Sequence, residues 1–192
     1  VILTPTGEMI LAEIKPENKA GIEALMKKYN IFPAEDFTAM ETHFFTCVAL
    51  PTCAKALAES ERVQFPIMRD VQEAMNKHGV GKEKITVRVT GCPNGCARPY
   101  VGDIGIVGRM PGHYLIFIGG DFEGTRLNTR VFEKVPQADI GKALEPMFKY
   151  YAESKNDKEG FGDFCQRVGV AEVAGKTVAA FGANNPWAAI VE

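Results

Sequence analysis

The sequence lacks long hydrophobic runs, a strong excess of charge of either sign, and the marks of a secreted protein. No window of about 18 consecutive apolar residues occurs, so no membrane-spanning helix is expected. A net charge of -2 does not provide the basic face that general nucleic-acid binding requires. The first residues, V-I-L-T-P-T-G-E, have neither the basic segment nor the apolar segment of a signal peptide. These absences predict a cytoplasmic chain that binds neither a membrane nor nucleic acid.

Internal repeats and low-complexity tracts are also absent. With 46% hydrophobic and 24% charged residues, the chain has the composition of a domain with a packed core. Residue 1 is Val rather than Met and lies next to a predicted strand, so we expect the sequence to be a piece of a longer chain.

Predicted strands and helices alternate along the sequence, which indicates an α/β or α+β fold with a mixed sheet. Short apolar or alternating segments predict strands at 8–14, 84–90, 102–109, 113–120 and 129–135. Helical spacing and helix-forming composition predict helices at 17–29, 54–62, 65–79, 137–155 and 160–169. The connector N-I-F-P-A-E-D places a domain boundary near residue 38, and the Ala/Gly-rich tail at 174–187 gives little signal.

Four of the five cysteines form two local pairs. Cys47 and Cys53 enclose V-A-L-P-T, and Cys92 and Cys96 enclose P-N-G, so both pairs lie on proline-containing loops. Without a secretory signal, an odd cysteine count favours metal or redox chemistry over a disulfide framework. Structural zinc sites prefer C-x2-C or C-x4-C spacing, whereas a [4Fe–4S] cluster tolerates wider spacing. Four unrelated buried cysteines remain an alternative, and Cys165 is interpreted as a buried residue of a packed helix.

The segments C-V-A-L-P-T-C and T-G-C-P-N-G-C-A-R-P-Y resemble the iron–sulfur and sirohaem signature of the sirohaem nitrite/sulfite reductase family, in particular the haemoprotein subunit of assimilatory sulfite reductases. The segments V-G-D-I-G-I-V-G-R-M-P-G-H-Y, I-G-G-D-F-E-G-T-R and E-G-F-G-D-F agree with it, and the resemblance extends to about Gly169. It implies that residues 1–38 are the second half of a ferredoxin-like half-domain. It further implies that residues 39–192 are the [4Fe–4S]/sirohaem domain, a mixed sheet flanked by helices.

The resemblance also implies the roles of the cysteines. Cys47, Cys53, Cys92 and Cys96 are then the cluster ligands, and Cys96 is the catalytic thiolate that also binds the sirohaem iron. The implied reaction is the six-electron reduction of sulfite to sulfide for cysteine biosynthesis. The implied partners are sulfite, the N-terminal half of the same enzyme and an electron donor, either an NADPH-dependent flavoprotein or ferredoxin. A sirohaem nitrite reductase and a non-catalytic iron–sulfur or zinc module remain the alternatives.

Several polar residues near the cysteines are further candidates. Asn94 is a candidate donor to a cluster sulfide or a haem carboxylate, or else part of a simple turn. Arg98 is a candidate partner for a sirohaem carboxylate, or else forms a surface salt bridge. Weaker candidates for the same role are Arg88, Arg109, Arg126 and Arg130.

Three residues before Cys47 complete the set of candidates. His43 is a candidate proton relay, with a packed or exposed side chain as the more common alternative. Phe44 and Phe45 are expected to shield the cluster from water.

Overall fold

The computed structural model describes residues 1–4, 9–182 and 187, and the chain separates into two compact units, Val1–Thr38 and Ala39–Glu192. In the first unit, β1 (Ile2–Leu3) pairs antiparallel with β2 (Met9–Ile10), and α1 (Pro16–Lys28) follows. The helix confirms the prediction at 17–29, whereas the strand predicted at 8–14 has only two residues. None of the described side chains of this unit is buried. Its assignment as half of a ferredoxin-like domain stays a prediction.

The second unit contains a five-stranded sheet and five α-helices among its described residues. Its strands are β3 (Phe44–Thr46), β4 (Val87–Thr90), β5 (Ile104–Met110), β6 (His113–Ile118) and β7 (Thr129–Pro136). Its helices are α2 (Ala39–His43), α3 (Gln64–Lys77), α4 (Ile140–Ser154), α5 (Phe161–Val168) and α6 (Val170–Phe181). Within the part of the chain that the structure describes, every helix is too short or too polar to cross a membrane.

The sheet has the strand order β3-β4-β5-β6-β7 and is mixed, as the sequence predicts. Strands β3, β4 and β5 run parallel, and β5, β6 and β7 are joined antiparallel. Thr46 at the end of β3 lies near the end of β4, because it pairs with Val89. The loops that follow these two strands therefore leave the sheet at the same edge.

One face of the sheet carries the core. Alternate residues along each strand point to this face, for example Val87 and Val89 in β4 and Ile104 and Ile106 in β5, and all four are buried. They pack against apolar side chains of α3, α4, α5 and α6. On the opposite face, the 3-10 turn Pro99–Val101 covers β5 so closely that a Cβ on Gly105 would lie 2.3 Å from the Pro99 carbonyl oxygen.

One helix prediction was wrong, and one helix was not predicted. Residues 54–60 form turns instead of the predicted helix at 54–62, and a 3-10 turn, Glu61–Val63, follows them. Conversely, α6 lies in the tail where the sequence gives little signal, and its Thr177 Oγ1 donates a hydrogen bond to the Ala143 carbonyl of α4 at 2.8 Å. The tail positions at 183–186 lie outside the described residues.

Candidate functional site

The two cysteine loops leave the carboxyl ends of adjacent parallel strands. Cys47 directly follows β3, and Cys92 comes two residues after β4. The Cys47 N–H donates to the Val89 carbonyl at 3.2 Å, which extends the ladder between the two strands by one bond. The carboxyl ends of neighbouring parallel strands are where open α/β sheets bind ligands. The sheet therefore brings together two cysteine pairs that are far apart in sequence.

Each loop is held by its own hydrogen bonds. In the first loop, the Cys53 N–H donates to the Ala49 carbonyl at 2.7 Å. In the second loop, the Gly95 N–H and the Thr90 hydroxyl both donate to the Cys92 carbonyl, at 3.3 and 3.1 Å. Gly95 has φ of +70°, a conformation that glycine adopts without strain. These bonds fix the cysteine side chains relative to the strand ends.

Gly91 is the point at which the two loops meet. Its N–H donates to Cys47 Sγ at 3.3 Å, and its carbonyl accepts bonds from the N–H groups of Leu57 and Ala58 at 2.8 and 3.0 Å. A Cβ at this position would lie 2.5 Å from the Ala49 Cβ and 2.6 Å from the Ala58 carbonyl oxygen. Only glycine fits so close an approach of the two loops.

All four paired cysteines line one pocket with a volume of about 440 Å³. Cys92 is buried, Cys47 and Cys53 are half-buried, and Cys96 is exposed. The rest of the lining is formed by Thr46, Val48, Ala49, Lys55, Ala56, Thr90 and Asn94. No aspartate or glutamate is among these described lining residues, and Lys55 is the one lysine or arginine.

Among residues 1–4, 9–182 and 187, no group of three or more His, Cys, Asp or Glu side chains has the geometry of a site for one metal ion. Four thiols are the ligand set of a [4Fe–4S] cluster, in which each thiolate binds a different iron.

The predicted polar candidates occupy different places. Asn94 lines the pocket, whereas Arg98 is exposed on the turn after Cys96, with φ of +54°. Arg88 lies on β4 and is only 7% exposed, with its guanidinium 4.9 Å from the centre of the Phe45 ring. Burial, followed by the positive charge of Arg98, lowers the pKa of Arg88.

His43, Phe44 and Phe45 do not line the pocket. Phe44 is buried in the core, Phe45 lies beside Arg88, and the ring of His43 packs edge-on against Phe122 at 4.9 Å. The shielding role predicted for Phe44 is wrong, because β3 directs Phe44 to the helical face of the sheet. The shielding role of Phe45 stays a prediction.

Two of the weaker arginine candidates are engaged elsewhere. Arg126 donates to the Gly119 and Gly120 carbonyls and to Asp163 Oδ1, at 3.0, 2.8 and 2.8 Å. Arg130 forms an ion pair with Glu133 at 3.5 Å. Arg126 therefore stabilises the segment that follows β6, and the Arg130 pair lies within β7.

Cys165 lies apart from the pocket. It is fully buried in α5 among core residues, and burial raises the pKa of its thiol. A buried neutral thiol of this kind behaves as a small apolar residue.

Sequence reasoning missed Lys55 and Asn128. Asn128 Nδ2 donates to the Pro99 and Gly102 carbonyls at 2.7 and 3.0 Å, which anchors the turn after the second cysteine loop. Lys55 lies two residues after Cys53 but belongs to no motif, whereas Asn128 is distant in sequence and is brought to this turn by the fold.

Residues 42–183 match the family described as the nitrite and sulphite reductase 4Fe-4S domain, and this range includes all four cysteines of the pocket. The chain belongs to this family. The range also covers β3 to α6, so the family match includes the whole five-stranded sheet.

Curated relatives carry the name sulfite reductase [NADPH] hemoprotein beta-component. The protein from Nitrobacter hamburgensis is 42% identical over 172 residues, which cover 89% of this chain and 30% of the relative. The protein from Shewanella sp. strain ANA-3 is 44% identical over 171 residues, again 30% of its length. The chain thus spans about 30% of the length of the curated relatives it matches.

A solved structure of the Mycobacterium tuberculosis NirA protein has the same fold. It superposes with a TM-score of 0.71 at 17% sequence identity, covering 89% of this chain and 33% of that one. Identity this low supports the fold alone. The mixed sheet flanked by helices that the sequence predicts is confirmed.

Proposed function

We propose that this chain is the C-terminal, cluster-binding part of an assimilatory sulfite reductase haemoprotein, and that Cys47, Cys53, Cys92 and Cys96 hold one [4Fe–4S] cluster. The observation that carries the proposal is the single pocket lined by all four cysteines at the carboxyl ends of β3 and β4. Membership of the 4Fe-4S domain family and the names of the relatives support it.

The residues of the pocket fit such a cluster chemically. Four thiols are the ligand set of a [4Fe–4S] cluster, and the Gly91 N–H bond to Cys47 Sγ stabilises negative charge on that sulfur. The described lining has no carboxylate that would repel a cluster with negative charge. The C-x5-C and C-x3-C spacings of the two pairs favour this cluster over zinc, because structural zinc sites prefer C-x2-C or C-x4-C spacing.

Cys96 is proposed to bind the sirohaem iron as well. It lines the pocket and is also exposed, so its sulfur is accessible from both the pocket and the surface. Asn94, on the same loop, is proposed to donate to a cluster sulfide or a haem carboxylate, and Arg98 to pair with a haem carboxylate. When bound, the coupled cluster and sirohaem supply electrons one at a time for SO₃²⁻ + 6e⁻ + 8H⁺ → H₂S + 3H₂O.

The remaining partners lie outside this chain. We propose that the N-terminal half of the same enzyme supplies the cations that bind sulfite, and that residues 1–38 complete a ferredoxin-like domain with it. The relatives' names support an NADPH-dependent flavoprotein as electron donor rather than ferredoxin. We also propose a cytoplasmic location and a role in cysteine biosynthesis.

The proposal is tested with the full-length parent protein, purified with its cofactors. Reduced methyl viologen serves as electron donor, and sulfide production is measured with sulfite, with ammonia production from nitrite as the parallel assay. We expect six electrons consumed per sulfide and a higher kcat/KM for sulfite than for nitrite. A preference for nitrite would favour the nitrite reductase alternative. Bound zinc, with neither activity, would support the non-catalytic module.

A further inference from the structure

The second cysteine loop has two sides. Cys92, Asn94 and Cys96 line the pocket, whereas Pro93 and Gly95, which alternate with them, do not line it. The loop therefore presents its cysteines on one side and the backbone of Pro93 and Gly95 on the other. The position of the two thiols depends on what supports that second side.

Tyr100 contacts the second side of the loop at both residues. Its hydroxyl donates a hydrogen bond to the Pro93 carbonyl at 2.9 Å. Its ring lies close to Gly95, because a Cβ built on Gly95 would lie 2.9 Å from Tyr100 Cε2. A larger residue at position 95 would therefore push the loop away from the ring. Tyr100 itself does not line the pocket.

Tyr100 is fixed to the sheet by its other contacts. Its ring packs edge-on against Phe117 of β6, with 5.3 Å between the ring centres. Its carbonyl accepts a hydrogen bond from the Asn128 N–H at 2.8 Å. Asn128 Nδ2 also donates to the carbonyls of Pro99 and Gly102, on either side of Tyr100. The cysteine loop is thus supported by a side chain that is anchored to β6 and to the residue before β7.

The backbone of the loop requires such support. Gly95 and Arg98 both have left-handed conformations, with φ of +70° and +54°. This conformation is unfavourable for Arg98, which has a Cβ, and such residues persist where the surrounding contacts fix them. The Arg98 N–H donates to the Gly95 carbonyl at 2.7 Å, and the Gly95 N–H donates to the Cys92 carbonyl at 3.3 Å. Contacts that hold Gly95 therefore also hold the turns on both sides of it.

We propose that Tyr100 is a positioning residue that holds Cys92 and Cys96 in the geometry of the cluster, through its contacts with Pro93 and Gly95. This inference rests on the proposed function, since the cluster is what the two thiols are positioned for. The hydroxyl and the ring contribute separately. The hydroxyl fixes the Pro93 carbonyl, and the ring limits the movement of Gly95.

The test compares Tyr100→Phe and Tyr100→Leu with the full-length parent protein carrying its cofactors. Phenylalanine removes the hydroxyl alone, and leucine removes the hydroxyl and the ring. The rate of iron release to a chelator reports opening of the cysteine loops, and the midpoint of thermal unfolding reports stability. Tyr150→Phe is the matched control, because its hydroxyl also donates one hydrogen bond, to Glu172, and joins α4 to α6 away from the pocket.

We expect Tyr100→Phe to release iron about fivefold faster than the parent, the factor that corresponds to a hydrogen bond worth about 1 kcal/mol. Tyr100→Leu should release iron faster still, and the electron paramagnetic resonance signal of its reduced cluster should broaden, because the loop then takes several positions. Tyr150→Phe should release iron at the parent's rate.

Two results would overturn the inference. One is an equal rate of iron release in the parent and both Tyr100 variants. The other is an equal acceleration in Tyr100→Phe and Tyr150→Phe with equally lowered unfolding midpoints, which would show that lost stability, and not the position of the loop, is the cause. If Tyr100→Leu does not fold, the comparison of Tyr100→Phe with Tyr150→Phe decides.

Failure of the proposed function gives a different result. The unsubstituted parent would then contain no iron, and the support of the loop would be measured by hydrogen exchange at the amides of Gly95 and Arg98. Faster exchange in Tyr100→Phe than in Tyr150→Phe would keep the role of Tyr100 in holding the loop. Equal exchange would remove that role as well.

Discussion

The backbone N–H of Gly91 donates a hydrogen bond to Sγ of Cys47 at 3.3 Å, so the strand that leads to the second cysteine pair is bonded to a sulfur of the first pair. Hydrogen bonds of this kind stabilise a thiolate and raise the reduction potential of the cluster it binds. The carbonyl of the same glycine also accepts hydrogen bonds from the N–H groups of Leu57 and Ala58. One residue thus sets the distance between the two halves of the proposed cluster site.

Replacing Gly91 by alanine is predicted to separate the two loops. The new Cβ would clash with Ala49 and Ala58, and overpacking of this kind costs about 1–3 kcal/mol. We expect a lower free energy of unfolding and loss of most bound iron, measured by denaturant titration and iron analysis.

The matched control for that change is Gly175→Ala in α6. No atom lies within 4 Å of a Cβ built on Gly175, and alanine favours a helix over glycine by up to about 1 kcal/mol. We expect unchanged iron content and equal or higher stability. Full retention of iron in the Gly91→Ala protein would contradict the role assigned to this glycine.

Substitution of any one of the four pocket cysteines by serine is predicted to remove or degrade the cluster, because each thiolate binds one iron. Iron and acid-labile sulfide per chain are the measurements. Cys165→Ala is the control, since Cys165 lies in the core apart from the pocket, and we expect it to retain full iron content at slightly lower stability. A serine variant with undiminished iron and sulfide would exclude its cysteine from the ligand set.

Lys55→Gln is predicted to lower the reduction potential of the cluster. The ammonium is the one cation on the described lining of the pocket, and a positive charge stabilises the reduced, more negative cluster. An interaction of about 1 kcal/mol at the distance of a pocket wall corresponds to roughly 40 mV for one electron. The potential is measured by a redox titration followed by electron paramagnetic resonance.

The control for this prediction is Lys84→Gln, which removes an exposed charge near the amino end of β4. It should leave the potential unchanged, and the effect of Lys55→Gln should shrink at high salt because exposed charges are screened. Equal potentials for the Lys55→Gln and parent proteins at low salt would show that this charge does not act on the cluster.

The ion pair between Arg167 and Glu159 is predicted to make stability depend on pH. Arg167 Nε and Nη2 donate to the Glu159 carboxylate at 2.6 and 2.8 Å, and this bonding lowers the pKa of Glu159. A carboxyl whose pKa is lowered by folding stabilises the fold above its unfolded pKa, and this contribution is lost as pH falls through the folded pKa. Glu159→Gln should therefore unfold at lower temperature than the parent at neutral pH, with the difference vanishing in acid.

For this change, Glu153→Gln is the control, because its pair with Lys149 is long and exposed, with a separation of 4.0 Å. We expect the unfolding temperature of Glu153→Gln to equal that of the parent at every pH. A difference between Glu159→Gln and the parent that persists unchanged into acid would show that the ion pair is not its cause.

The sequence predicts four of the five strands of the large sheet, but not β3, and it predicts the cysteine pairs, because these features depend on local patterns. Strands β4 to β7 have alternating or continuous apolar residues, and each cysteine pair lies on a proline-containing loop next to a strand. The helix predicted at 54–62 fails because tertiary bonds override propensity. The N–H groups of Leu57 and Ala58 bind the Gly91 carbonyl rather than the carbonyls of a helix.

Other features depend on contacts that no local pattern contains. Helix α6 is Ala/Gly-rich, and its buried Val173 and Thr177 place it against α4. The burial of Arg88 depends on its place in β4 next to Phe45 and Gly102, which are distant in sequence or separated by a turn. Neither feature is visible before the chain is folded.

The central claim is that four cysteines hold one iron–sulfur cluster and that Cys96 also binds the sirohaem iron. The most direct test is the Mössbauer spectrum of the full-length parent protein, enriched in the iron isotope that the method detects. We predict magnetic coupling between the cluster irons and the haem iron, which Cys96→Ser abolishes. Spectra of an uncoupled cluster and haem in the unsubstituted protein, or a pocket occupied by zinc, would contradict the account.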